Sequence, residues 1–370
     1  MSRPVGVKMR GSQLRWVALV LLTCIAVSGC MRLALRADRD DRSGASAPVA
    51  TDPGQIGNYT GSYRAKAEAG PVRYTTTIGE WVDSGRNGRV VPWKLYLPKA
   101  GNGPAPLVVW SHGGGGTRDG AAYLGEHLAS HGIAALHIQH AGSDIDAFRA
   151  DRRALFAGVQ DPRLGQDRFL DVKFVVRQIQ AEATGKWRGR IDPARLGMSG
   201  HSYGGITTQI AAGQQVKGFG RAWAEPTFKG GFIMSPSPPR DGYDAGPGRF
   251  GDMLFPLFHL TGTADTSPAD DFPVEQRRLP FDEINDVHQY LLIINEGTHM
   301  TFTGASRGFG PAAADPNIAA NLPLIRAAAV AFWEATLKGD GEARKWLDQG
   351  GYAAFVASRG RVEVKPAHAQ

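Results

Sequence analysis

From Pro71 to about position 348, short apolar runs rich in Val, Ile and Tyr alternate with segments of helical spacing. The runs that predict strands lie at positions 72–78, 90–97, 106–110, 133–138, 231–234, 256–260 and 290–294. Helical spacing occurs at positions 120–130, 169–179, 206–212 and 322–337. Strands that alternate with helices usually form a parallel sheet with helices on both faces. The sequence therefore predicts one α/β domain over residues 71–348, with residues 349–370 as a C-terminal tail.

The first 29 residues have the pattern of a secretory signal peptide. Four basic residues and no acidic one precede an uncharged apolar run from Trp16 to Val27. That run is too short to cross a bilayer as a helix, which needs about 20 residues. It ends at Val27-Ser28-Gly29-Cys30, which resembles the lipobox of bacterial lipoproteins. An ordinary signal peptide and an uncleaved anchor are the alternatives.

The resemblance to a lipobox implies that Cys30 becomes the lipidated first residue of the mature chain. Met31 after it points to the outer membrane, with the protein facing the periplasm. Residues 30–70 are rich in Ala, Asp, Arg, Gly and Ser, and they predict a flexible tether to the folded domain. The other cysteine, Cys24, leaves with the signal peptide. A cysteine nucleophile, a zinc–cysteine site and a disulfide scaffold are therefore not expected.

The charge balance does not point to a nucleic-acid partner. The formal net charge of the 370 residues is +7, and the four basic residues of the signal segment account for more than half of it. No basic stripe with interleaved aromatic residues follows in the sequence, although such a stripe is typical of nucleic-acid binding. Apolar residues make up 42% of the chain, which excludes a wholly disordered protein.

A G-x-S-x-G motif lies at Gly200-His201-Ser202-Tyr203-Gly204. It follows Arg195-Leu196-Gly197-Met198, which predicts a further strand, and it opens a predicted helix. Its glycines permit the sharp turn that exposes a nucleophilic hydroxyl. Ser202 is therefore the candidate nucleophile. A second G-x-S-x-G, around Ser306, follows no strand and is followed by glycines and a proline that disfavour a helix. Ser306 is expected to be a loop serine.

A serine nucleophile needs an adjacent base, which an acid orients. After a turn of this kind, the partners follow in the chain order Ser, Asp or Glu, His. Asp265 and His299 each come directly after a predicted strand, where such sites are built. Asp270 and Asp271 compete with Asp265 for the role of the acid.

The loop His112-Gly113-Gly114-Gly115-Gly116 follows the third predicted strand. Glycines there let the backbone approach a substrate closely, so an amide of this loop can donate to an oxyanion. We expect the donors to be the backbone N–H groups of Gly114 and Tyr203. A phosphate-binding loop is the alternative, but no Gly-Lys-Ser/Thr follows.

Two further segments have more than one interpretation. His127, His131, His137 and His140 include a pair four residues apart, as in zinc helices, but the glutamate precedes the pair instead of lying within it. The cluster is better explained by histidines that lie on a helix surface or at the ends of strands. No metal or other cofactor is expected. Residues 141–167 read as a long loop, which is either a lid or a surface excursion.

Together these motifs resemble the α/β-hydrolase fold, and within it the bacterial dienelactone-hydrolase-like and platelet-activating-factor-acetylhydrolase-like esterases. The resemblance covers residues 72–348, and it includes Val82–Pro92, Ser111–Gly116, His140–Asp144 and His299–Phe302. True dienelactone hydrolases use a cysteine nucleophile where this chain has Ser202, so their substrate is not implied. The glycine loop has a third glycine where these relatives often carry a bulky apolar residue.

The expected function is that of an extracytoplasmic serine esterase that cleaves carboxylic esters through a Ser202–His299–Asp265 triad. Its partners would be a small or lipid-like ester and, through Cys30, a membrane. A polyester depolymerase or an acyltransferase could use the same residues. The alternative outside enzymes is a non-catalytic envelope lipoprotein that keeps a hydrolase fold for binding.

Overall fold

The computed structural model describes residues 59–99, 101, 103–267, 269, 272–304 and 315–367. The strands are β1 Tyr74–Asp83, β2 Arg89–Pro98, β3 Ala105–Ser111, β4 Ala134–Ile138, β5 Ile191–His201, β6 Phe228–Met234, β7 Leu257–Ala264, β8 Gln289–Thr298 and β9 Gly360–Lys365. The helices are α1 Ala122–Ser130, α2 Ile145–Ala150, α3 Arg152–Gln160, α4 Pro162–Thr184, α5 Tyr203–Ala211, α6 Leu279–Glu283, α7 Ile318–Leu337, α8 Gly341–Asp348 and α9 Gly351–Val356. Short 3-10 turns lie at Ser84–Arg86, Val274–Arg278, Thr301–Thr303 and Ala357–Arg359.

All nine strands belong to one sheet, in the order β1-β2-β4-β3-β5-β6-β7-β8-β9. The pairs from β4 through β3, β5, β6 and β7 to β8 are parallel, whereas β1–β2, β2–β4 and β8–β9 are antiparallel. The sheet is therefore mixed and mostly parallel, with helices packed around it. The prediction of an α/β fold is confirmed.

The inner strands are buried on both faces, as their continuous apolar sequences require. In β3, Val108 and Trp110 join the core beneath α1 and α7, while Leu107 and Val109 join the core beneath α4. This alternation follows from the two-residue period of a strand. The carboxyl ends of the parallel strands consequently meet at one edge of the sheet.

Helix α7 is long and apolar enough to cross a membrane by length and composition alone. Its side chains are mostly buried against the sheet, and Phe332 and Trp333 are fully inaccessible to solvent. An apolar helix that is buried all round is typical of a protein core. The described residues contain no other helix that passes this test.

The prediction of a C-terminal tail over residues 349–370 is wrong for most of that segment. Residues 351–356 form α9, and β9 pairs with β8 in antiparallel register from Gln289–Lys365 to Ile294–Gly360. Val362 is buried on one face of β9, and the buried carboxylate of Glu363 pairs with Arg278 at 3.0 Å. The alternation of apolar and charged residues in this strand was the signal for it.

The expected tether is also shorter than predicted, because residues 59–70 pack against the domain. Tyr63 is buried, and its hydroxyl donates to Glu334 at 2.7 Å. Lys66 pairs with the same carboxylate at 2.7 Å, and the Lys66 carbonyl lies 2.8 Å from Nε2 of His127. The signal segment, Cys30 and the rest of the tether lie outside the described residues.

Residues 145–167 lie almost entirely in three helices, so the expectation of a long loop over 141–167 is wrong. Helices α2, α3 and α4 begin after Asp144, Asp151 and Asp161, and each aspartate side chain accepts a hydrogen bond from a first-turn amide. Aspartate is a preferred helix N-cap because it satisfies such unpaired amides. The three aspartates in the sequence therefore indicate where three helices begin.

Candidate active site

Ser202 lies in the turn between β5 and α5, as its motif predicts. Its backbone has φ 55° and ψ −117°, which is a strained conformation for a residue with a side chain. The turn is tight enough that a Cβ on Gly200 would collide with the backbone of Gly204, and one on Gly204 would collide with Ser111. The flanking glycines therefore allow the close packing that holds Ser202 at the edge of the sheet.

Asp265 and His299 come together at the neighbouring strand ends. Asp265 follows β7, His299 follows β8, and Oδ1 of Asp265 lies 2.8 Å from Nδ1 of His299. A carboxylate at this distance places the ring proton on Nδ1. Nε2 of His299 is then free to accept a proton.

Asp265 is fully buried and has three further polar neighbours. Ser235 Oγ lies 2.6 and 2.5 Å from its two carboxylate oxygens, and Thr261 Oγ1 donates to Oδ2 at 2.8 Å. Nε of Arg277 lies 3.7 Å from Oδ1. Burial by itself raises the pKa of Asp265, but the hydrogen bond and charge of His299, with Arg277 and Ser235, lower it below its usual range. The carboxylate is therefore ionised at neutral pH.

His201, the variable residue before Ser202 in the motif, supports the histidine loop. Its Nε2 lies 2.8 Å from the carbonyl oxygen of His299, and the two rings are 4.7 Å apart. Burial, followed by the charge of His299, lowers the pKa of His201 to about 3. His201 is therefore neutral, and Nε2 donates its proton to the carbonyl.

The glycine loop runs beside Ser202. The ideal Cβ position at Gly113 is 3.3 Å from the Cβ of Ser202. The amide of Gly115 donates to Ser143 O at 2.9 Å, and the amide of Gly116 donates to Gly113 O at 3.0 Å. The amide of Gly114 makes no hydrogen bond to a described residue.

The amide of Tyr203 is the first in α5, where helix N–H groups have no intrahelical acceptor. It likewise makes no hydrogen bond to a described residue. The two amides expected to be oxyanion donors, those of Gly114 and Tyr203, are therefore both without a hydrogen bond to a described residue.

A cavity of about 480 Å³ joins these groups. Its described lining includes Ser202, His299 and Gly114, together with Phe156 and Val159 of α3. The segment predicted to be either a lid or a surface excursion thus contributes two residues to the cavity wall. Ser202 Oγ makes no hydrogen bond to a described residue, and in free enzymes the contact between nucleophile and base often forms only with substrate.

Ser235, Thr261, Arg277 and His201 were not assigned roles from the sequence. Ser235 directly follows a predicted strand, and His201 lies inside the motif, so the rule that sites form at strand ends could have found both. Thr261 lies within β7, and Arg277 lies in a 3-10 turn, with no motif around them. Ser306, Asp270 and Asp271 lie outside the described residues.

The four histidines of the cluster do not meet at one common site. His127 and His131 contact the carbonyls of Lys66 and Glu68, while His137 contacts the carbonyl of Gly120. Burial lowers the pKa of His127 to about 4 and that of His137 to about 3. His127 is buried, which corrects its expected place on a helix surface. Among the described residues, no group of three or more His, Cys, Asp or Glu side chains could hold a metal ion.

In comparisons with known proteins, no family model matched this chain, and no curated protein matched it significantly. The architecture therefore rests on the topology of the sheet. The interpretation of the site rests on its own geometry and chemistry.

Proposed function

We propose that this protein is a serine hydrolase of the α/β-hydrolase family that cleaves carboxylic esters. The observation that carries the proposal is the 2.8 Å contact between Asp265 and His299, because His299 lines the same cavity as Ser202, which lies in a strained turn. The three residues follow β5, β7 and β8 in the order Ser, Asp, His, which is the order in hydrolases with this turn.

In the proposed reaction, Ser202 Oγ attacks the ester carbonyl while Nε2 of His299 takes the hydroxyl proton. The negative charge on the carbonyl oxygen is stabilised by the amides of Gly114 and Tyr203. When the tetrahedral intermediate collapses, His299 gives its proton to the departing alkoxide. Water then attacks the acyl-enzyme by the same steps, which releases the acid and restores Ser202. Asp265 keeps His299 in the required tautomer and stays ionised throughout.

The cavity favours an uncharged ester. Its described lining is largely glycine and apolar or aromatic side chains, among them Trp110, Tyr123, Phe156 and Met300. No Lys or Arg side chain occurs in this part of the lining, and its one carboxylate, on Asp119, is exposed and pairs with Lys94 at 2.8 Å. A charged acyl group would lose its hydration there without gaining a partner.

We also propose that Cys30 anchors the enzyme to the bacterial envelope, facing the periplasm. The support is the signal-like segment that ends at Cys30. Because the candidate catalytic residues all come after position 110, the anchor and the chemistry are separate parts of the chain.

Fluorophosphonate labelling tests the hydrolase proposal, since the probe reacts covalently with an activated serine. We expect one adduct on Ser202 of the wild type, found by peptide mass spectrometry, and none on Ser202→Ala. Ser306→Ala, which removes the serine of the second motif, is the matched control and should label like the wild type. An unlabelled wild type, or an adduct that persists in Ser202→Ala and disappears in Ser306→Ala, would overturn the assignment.

A further inference from the structure

Arg168 of α4 is a buried cation directly beneath the glycine loop. It is only 2% exposed, and its Nε donates to Thr207 Oγ1 at 2.9 Å. Nη1 donates to Ser143 Oγ, and Nη2 donates to Ser111 Oγ, each at 2.9 Å. Nη2 also donates to the backbone carbonyl of His112. Every one of these acceptors is uncharged.

No carboxylate of the described residues lies within 4 Å of the guanidinium nitrogens. The nearest connection runs through Ser111 to His140 at 2.9 Å, and from His140 to Asp171 at 3.0 Å. Asp171 itself already pairs with Arg86 and Arg89, both at 2.7 Å. The positive charge of Arg168 therefore has no direct counter-ion.

Burying an uncompensated charge costs several kcal/mol even after the protein relaxes. Burial lowers the pKa of Arg168 to about 10, which still leaves the guanidinium protonated at neutral pH. A buried charge whose hydrogen-bond partners are all uncharged, with Asp171 and Asp144 acting on it only from a distance, is suited to stabilise a negative charge that forms during a reaction.

The partners of Arg168 connect it to both expected oxyanion donors. Ser111 and His112 lead directly into the loop that contains Gly114. On the other side, Thr207 Oγ1 donates to the carbonyl of Tyr203 at 2.8 Å, and the Arg168 guanidinium lies 4.5 Å from the centre of the Tyr203 ring. One side chain thus joins the glycine loop to the first turn of α5.

We propose that Arg168 is the positioning residue of the oxyanion hole, where it holds the Gly114 and Tyr203 amides in register and adds a buried positive charge behind them. This inference rests on the proposed hydrolase function. The charge acts in a water-poor interior, where electrostatic interactions are weakly screened. It contributes most when the carbonyl oxygen becomes negative, so it affects the rate of acylation more than the binding of substrate.

The test compares Arg168→Met, Arg168→Lys and wild type on the best nitrophenyl ester. Loss of one oxyanion donor typically costs about 10²–10³ in kcat. We expect Arg168→Met to lose about 100-fold in kcat with KM within about threefold, on that scale. Arg168→Lys keeps the charge and should recover at least about tenfold of the loss.

The matched control is Arg195→Met, which removes an arginine from the opposite end of β5. Arg195 pairs with Asp192 at 2.7 Å and makes no contact with the candidate site. We expect its kcat to equal that of the wild type.

A second readout separates this role from a merely structural one. A trifluoromethyl ketone that matches the ester forms an oxyanion on a serine nucleophile, so its Ki reports stabilisation of that charge. Ki should rise in Arg168→Met by the same factor by which kcat/KM falls. Unchanged kcat, a change in KM alone, no recovery in Arg168→Lys, or an unchanged Ki would each overturn the inference.

If near-ultraviolet circular dichroism shows that Arg168→Met does not fold, Arg168→Lys and Thr207→Val replace it as the test variants. Arg168→Lys should then stay within about tenfold of the wild-type kcat, whereas Thr207→Val must lower kcat and raise Ki by matching factors. The inference is wrong if either result is missing. A wild type that neither hydrolyses esters nor reacts with fluorophosphonate would instead reject the hydrolase proposal itself.

Discussion

Ser235 Oγ lies 2.9 Å from Nδ1 of His299. The same oxygen lies within 2.6 Å of both carboxylate oxygens of Asp265, so the serine bridges Asp265 and His299. Its hydroxyl proton can go only to the carboxylate, because Nδ1 of His299 carries its own proton. Ser235 thus restrains the carboxylate and the imidazole at once, from a third strand end.

Ser235→Ala should therefore slow catalysis without weakening substrate binding. A hydrogen bond to a charged group contributes about 1.5–3 kcal/mol, so we expect kcat to fall about 10- to 100-fold while KM stays nearly constant. Steady-state kinetics on nitrophenyl esters measures both constants.

The control for this variant is Ser199→Ala, a buried serine of β5 whose hydroxyl donates to the Phe232 carbonyl at 3.0 Å. It should retain the wild-type kcat. Equal losses in the two variants would indicate a general packing effect and would remove the special role of Ser235.

Asp265→Asn should keep the fold but lower kcat by about 10⁴, because an amide cannot hold the imidazole in the required tautomer. Pre-steady-state kinetics of acylation is the measurement. Asp270→Asn and Asp271→Asn are the controls, and each should stay within about threefold of the wild type on this scale. A large loss in one of the controls, with Asp265→Asn active, would place the acid elsewhere in the loop.

The sequence predicted Ser202, Asp265 and His299 because each follows a strand that its own apolar pattern reveals. The 2.8 Å contact between Asp265 and His299 then follows from the pairing of β7 with β8. Ser202 Oγ makes no hydrogen bond to His299 in this structure, so its catalytic role stays a prediction.

The strand-end rule could have marked Ser235 as a candidate, but its contact with Asp265 could not be predicted in the same way. Ser235-Pro236-Ser237-Pro238 reads as an ordinary loop, and nothing local links it to Asp265. The link exists because β6 lies between β5 and β7, which is a property of the order of strands in space. The contacts of Arg168 could not be predicted for a related reason. Its hydrogen-bond acceptors are far apart in the sequence and come together only in the folded protein.

Local patterns also failed where tertiary packing decides the structure. Tyr63 and Lys66 lie in a polar, small-residue segment, yet both bind Glu334 of α7. Val362 and Glu363 lie in a short terminal segment, yet β9 forms because β8 offers a free edge. A strand edge with unpaired backbone groups favours the addition of another strand.

Buried neutral histidines predict how stability depends on pH. His259 is fully buried, its Nε2 lies 3.0 Å from Oε1 of Gln289, and burial lowers its pKa to about 3. The unfolded chain has the ordinary histidine pKa of about 6.5, so it binds a proton first as the pH falls. Folding stability should therefore decrease as the pH falls from about 6.5 toward 3, by up to about 1.4 kcal/mol per pH unit for this group.

His259→Gln should remove that part of the slope, because glutamine does not titrate. The measurement is the free energy of unfolding from urea titrations between pH 8 and pH 4.5. At pH 8 both side chains are neutral, so the difference there reports packing alone and serves as the internal control. A slope equal to that of the wild type would show that His259 does not titrate as its burial predicts.

Cys30 is expected to carry more than one acyl chain. A single acyl chain binds a membrane only marginally, whereas two or more give stable anchoring at about 0.8 kcal/mol per buried CH₂. Several chains on Cys30 should therefore keep the enzyme in the membrane fraction at high salt, which would release a protein held by charge alone. Mass spectrometry of the mature N-terminus should find the lipid on Cys30.

Cys30→Ser should yield either a released, active esterase or an uncleaved precursor, because the candidate catalytic residues lie far beyond the anchor in the sequence. Cys24→Ser is the matched control, because Cys24 would be removed with the cleaved signal peptide. This variant should still carry the lipid on Cys30. Esterase activity in the membrane and soluble fractions distinguishes the variants. An unmodified terminus at another position would reject the lipoprotein proposal, while the hydrolase proposal would stand, because none of its residues lies in the first 110 positions.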